Sequence, residues 1–112
     1  MSINNIKMKE KFEKKDDRPY EPVAIRFMGE SEEKIAENIK RLREAVALLF
    51  EDSATKPGTG PGFSERFIQL AGDVRAGKKI STGGYQGLVA YVLDDHSVRG
   101  EDREIFKKNI LG

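Results

Sequence analysis

The stretch SEEKIAENIKRLREAVALLF, residues 31–50, constrains the fold more than any other part of the chain. Ile35, Ile39, Leu42, Val46 and Leu49 recur at spacings of four and three, which places them on one stripe of an α-helix. Ser31 stands where an N-cap is needed, and Glu32 and Glu33 follow in the first turn, where the helix dipole favours negative charge. Glu37–Arg41 and Lys40–Glu44 are spaced as i, i+4 ion pairs on the polar side. From Ala45 to Phe50 the helix is apolar on nearly every side and must be covered all round. This helix is the expected spine of the fold.

Upstream, RPYEPVAIRFMG cannot be helical, because Pro19 and Pro22 bar it and push their predecessors toward extended backbone. Val23, Ile25 and Phe27 alternate with Ala24, Arg26 and Met28, and that period of two predicts a strand over 23–28 ended by Gly29. A lone strand needs a partner for its backbone groups. The partner is either a second strand in this chain or the same strand of another copy. Together with the apolar helix end, this points to a homodimer.

Downstream of the spine, residues 51–62 are rich in turn formers and enter KPGTGPGFSERF. Ser64 is the expected cap of a second helix, with Glu65 in its first turn and Phe63 placed to staple against Ile68. Phe67, Leu70, Ala71 and Val74 give that helix a core face, and Gly77 is placed to stop it. The segment KKISTGGYQGLVAYVLDD reads as a third helix, capped by Ser81 or Thr82 and turning Tyr85, Leu88 and Val92 inward. The alternative is a second strand over 88–93, since so short an apolar run does not separate the two. RGEDREIFKKNILG reads as a short last helix, acidic at its start, with Lys107 and Lys108 at its end and Ile105, Phe106 and Ile110 for docking. The expected fold is therefore mainly α, of the α+β kind, with an N-terminal strand and roughly three or four helices in one small domain over 19–112. Residues 1–18 alternate lysine with acid and carry few apolar groups, which predicts a flexible arm.

Composition narrows function mainly by exclusion. Among 112 residues there is no cysteine, which removes disulfide and thiolate chemistry, and a single histidine, which removes multi-histidine metal sites within one chain. The formal net charge is +1, so a polyanion would have to be met by a local patch. The longest apolar run is too short to span a bilayer and the start of the chain lacks the apolar core of a secretory signal, so a cytoplasmic location is expected.

Three places could carry chemistry. GTGPGFSER has the glycines and helix start of a phosphate cradle, but it lacks the Walker Gly-Lys-Ser/Thr triplet. A helix rather than a strand precedes it, and Pro61 removes a donor. A linker ending in a capped helix accounts for it. Asp94, Asp95 and His96 are consecutive and cannot converge on one ion from a regular helix, so no metal, cofactor or catalytic set is expected. VRAGKKISTGG gathers Arg75, Lys78 and Lys79 just before a helix start, in the outline of a helix-turn-helix. In that reading Arg75, Lys78 and Lys79 hold the phosphate backbone while Ser81, Thr82, Tyr85 and Gln86 face bases or phosphates. The expectation is a small non-enzymatic nucleic-acid-binding or regulatory protein that acts as a dimer. The alternative is a protein-interaction adaptor that uses the amphipathic helix over 32–50.

Overall fold

The computed structural model describes residues 19–81 and 85–111; the arm expected over 1–18 and the candidate cap Thr82 lie outside them. Among the described residues the chain forms four α-helices: α1 (Glu32–Ala54), α2 (Pro61–Arg75), α3 (Gln86–Asp95) and α4 (Glu101–Ile110). The spine forms as its sequence dictates. Ser31 Oγ accepts the Lys34 N–H at 3.1 Å, and Leu42, Ala45, Val46, Ala47 and Phe50 are buried. The helix runs on through Ala54, where Thr55 donates its hydroxyl to the Asp52 carbonyl.

α1 and α2 make the main helix–helix contact and run antiparallel. The end of α1 meets the start of α2 through Ser64 Oγ, which donates to the Ala54 carbonyl at 2.7 Å. One turn deeper Phe50 stacks on Phe67 with centroids 5.9 Å apart. Farther along, Arg75 reaches back to Glu44 and Glu51. The start of α2 differs from the sequence expectation. Its N-cap is Gly60, with Pro61 in the first turn, and Ser64 lies inside the helix. Proline fits there because its missing N–H is one the first turn leaves unpaired. Phe63 and Ile68 stay exposed, at 68% and 56%, so no staple closes over them. α2 stops at Gly77, φ +85°, in a Schellman arrangement: Lys78 N–H bonds the Asp73 carbonyl and Gly77 N–H the Val74 carbonyl.

The segment 88–93 is helical, which overturns the second-strand alternative. Val89, Val92 and Leu93 are buried on one side of α3, so the apolar run faces the core without needing a sheet. The N-cap residue of α3 is Tyr85, and it makes no side-chain capping hydrogen bond. α4 docks through buried Phe106 and Ile110.

No β-ladder forms at 23–28 among the described residues. The alternation is nevertheless used. Ile25 and Phe27 are buried, whereas Val23 and Met28 are exposed. The backbone partners come from helix termini and side chains. Ile25 N–H donates to the His96 carbonyl at 3.0 Å. Phe27 and Met28 N–H both donate to Asp102 Oδ1, at 3.1 and 2.9 Å, and Asn38 Nδ2 donates to the Arg26 carbonyl at 2.8 Å. The extended segment and the apolar end of α1 are thus both provided for within one chain. The two features that pointed to a second copy no longer require one.

Candidate polyanion-binding surface

The expected site residues do not act as one group. Arg75 is held by two carboxylates. Its Nε and Nη2 donate to Glu44 at 2.9 Å each, while Nη1 and Nη2 donate to Glu51. The hydrogen bonds to Glu51 and then to Glu44 raise its pKa further above its ordinary value, and the same bond holds the Glu51 carboxyl below its own. A guanidinium so engaged has little left for a phosphate. Tyr85 is half-buried and packs edge-on against Phe50 and Phe67, with centroids 5.5 and 6.3 Å away, as part of an aromatic cluster. Gln86 and Ser81 are exposed. The link from α2 to α3 spans residues 76–85, longer than the tight turn of a helix-turn-helix, and the two helices do not form a packed pair. The helix-turn-helix outline is therefore set aside.

Lys78 and Lys79 keep their place on the surface and gain neighbours that are remote in sequence. Ile80 forms a parallel bridge with Leu111, and Ile80 N–H donates to the Ile110 carbonyl at 2.9 Å. This brings the turn after α2 against the last turn of α4, which carries Lys107 and Lys108. Arg43 pins the two ends from beneath. Its Nη1 donates to the Val74 and Lys78 carbonyls at 2.9 and 3.3 Å, and its Nη2 to the Asn109 carbonyl at 2.7 Å. Burial without a carboxylate lowers its pKa somewhat. Lysines at helix ends are often explained by the negative pole of the dipole. Here a guanidinium already serves carbonyls of both ends, which leaves the lysines for solvent.

Their ion pairs are weak. Lys78 lies 3.9 Å from Asp73 and Lys107 4.0 Å from Glu104, both at the limit of a salt bridge. Lys79 and Lys108 are exposed, with no ion-pair partner among the described residues. The segments that carry Lys78, Lys79, Lys107 and Lys108 thus lie side by side at one end of the fold, here called the basic end. The sequence displays both lysine pairs but nothing in it signals that they meet.

The other candidate places are occupied by local structure. In the glycine-rich loop Thr59 Oγ1 donates to the Ser53 carbonyl and Ser64 Oγ to Ala54, so both hydroxyls are already engaged. Asp94, Asp95 and His96 diverge: Asp94 pairs with Arg103 at 2.6 Å, Asp95 accepts the Tyr20 hydroxyl, and His96 Nδ1 donates to the Val92 carbonyl. Among the described residues no group of three or more His, Cys, Asp or Glu could hold a metal ion, and no helix is long and apolar enough to cross a membrane. The adaptor alternative loses the apolar face of α1, since Leu42 and Val46 are fully buried.

What the fold defines is a small α-helical domain arranged about one long helix. No protein-family model, no curated protein and no solved structure matches the chain.

Proposed function

We propose that the protein is a non-enzymatic, nucleic-acid-binding protein that grips the phosphate backbone with its basic end, largely without regard to base sequence. The observation that supports this reading is the Ile80–Leu111 bridge, which holds the segments bearing the two lysine pairs side by side. Lysines carried on two segments that the bridge holds side by side suit a polyanion because binding releases the counterions condensed on it. Lysine contacts to phosphates position a protein on a nucleic acid rather than specify its sequence. One chain suffices for this reading.

The test is fluorescence anisotropy with a mixed-sequence duplex and a single strand across a salt series. If all four lysines meet phosphates, log K against log salt falls with a slope of about −3 to −4 on duplex DNA. Replacing Lys107 and Lys108 by alanine removes about 2 from that slope, as does replacing Lys78 and Lys79. Arg75→Ala leaves it unchanged, because Glu44 and Glu51 already hold that side chain. Salt-independent binding, or a loss confined to the Arg75 variant, contradicts the proposal.

A further inference from the structure

At the start of α2 one aromatic ring is left outside the core. Phe63 is 68% exposed, the most exposed large apolar side chain among the described residues. It stands one turn before Phe67, which stacks on Phe50, and Tyr85 packs edge-on against both of those inner rings. The aromatic cluster therefore has a closed part in the core and an open part, Phe63 and the half-buried Tyr85, that meets water. A groove of about 430 Å³ opens here, lined by Gly60, Gly62, Phe63, Arg66 and Tyr85. That is the size of a small-ligand site. The glycines add no side chain to it, and the Phe63 ring lies back toward Gly60, its Cδ2 3.9 Å from where a Cβ on Gly60 would stand.

The charge in this groove has one sign. Arg66 is the only charged side chain in the lining, and no carboxylate faces it there. It is exposed, and its guanidinium has no ion-pair or hydrogen-bond partner among the described residues. Arg75, the other arginine of α2, is by contrast held by Glu44 and Glu51. Two aromatic side chains beside a free guanidinium complement a flat ring that carries negative charge.

We infer, on the nucleic-acid reading above, that this groove holds one unpaired nucleotide of a single strand, its base against Phe63 and Tyr85 and its phosphate on Arg66. A paired base in a duplex is already stacked on its neighbours, so only a single strand uses the groove. Stacking on an aromatic ring accepts any base, because every base has a π-face, and this agrees with lysine contacts that read no sequence. The groove and the basic end lie at opposite ends of α2, about 20 Å apart at a rise of 1.5 Å per residue. A strand of about a dozen nucleotides, at roughly 3.4 Å each when stacked, is long enough to reach both.

The test is fluorescence anisotropy of the full chain with three probes. They are a mixed-sequence strand of about a dozen nucleotides, a strand of the same length that carries no bases, and a blunt duplex. Phe63 is exposed, so replacing it opens no cavity in the core. Phe63→Ala weakens the mixed strand about tenfold and leaves the other two probes as in the parent. Phe63→Tyr, which keeps a ring, binds the strand as the parent does. Arg66→Gln takes about 0.7 from the slope of log K against log salt on the strand and nothing from the slope on the duplex. A strand affinity unmoved by Phe63→Ala overturns the inference, and so does an equal loss on the duplex or on the base-free strand. Those results leave the basic end standing if its lysine variants still lower the salt slope. Binding that depends on Phe63 but not on the lysines keeps the groove and overturns the basic end. No binding of any probe overturns both.

Discussion

At the scale of single residues, the least comfortable backbone belongs to Ser97, which holds φ at 57°. It closes α3 in a Schellman arrangement, with Val98 N–H on the Leu93 carbonyl and Ser97 N–H on Asp94. The same position at the end of α2 is glycine. A side chain in the left-handed region costs about 1 kcal/mol, so Ser97→Gly is expected to stabilise the fold by about 0.5–1 kcal/mol in denaturant titration. The Arg75–Glu51 pair makes a second residue-level prediction. Glu51's pKa is lowered in the fold, so the unfolded chain takes up the proton first as pH falls. The stabilisation is full above the ordinary carboxyl value of 4.5 and is lost as pH drops through the lowered one. Both partners are partly in water, at 36% and 40% exposure, which limits the effect to under about 1 kcal/mol. Glu51→Gln is therefore expected to be slightly less stable than the parent near neutrality. The difference should close in acid, as read from urea midpoints at each pH.

Among the elements, the entering segment shows what a sequence can and cannot display. Its alternation is visible at Ile25 and Phe27 because side-chain direction is a local property of extended backbone. The partner is not visible, because a carbonyl at the end of α3 and a carboxylate on α4 arrive only through tertiary packing. Asp102 reads as a first-turn acid, and it also satisfies two backbone donors far upstream. Asp102→Ala leaves the N–H of buried Phe27 without its acceptor and should cost about 1–3 kcal/mol. Asp102→Asn, which keeps an acceptor oxygen, should cost less. Denaturant titration of the two variants compares them. The start and stripe of α1 were legible because both are local, whereas its last turn, over 51–54, read as part of the linker. α2 carried two start signals, and the proline at Pro61 outweighed the serine at Ser64, whose hydroxyl the end of α1 needed. The start of α3 gave no such local signal, since its N-cap residue, Tyr85, makes no side-chain capping bond.

For the whole molecule, α1 is the member against which α2 and α3 pack, and the chain's two halves close on each other at its side. The candidate site follows from that closure. Local charge was readable in both lysine pairs, yet Arg75 looked equally available until Glu44 and Glu51 were brought to it by the α1–α2 hairpin. Conversely, Lys107 and Lys108 read as ordinary helix-end lysines until Leu111 was seen beside Ile80. The patch and the function proposed for it exist only if those two residues meet. The most direct test is a search for backbone NOEs between Ile80 and Ile110 or Leu111 in the dilute, uniformly labelled protein. The account predicts close inter-residue NOEs between these strand-like neighbours, with the Ile80 amide protected from exchange by the Ile110 carbonyl. An unprotected Ile80 amide with no NOE to residues 110–111 would contradict it, and the basic end would then be two unrelated pairs of lysines.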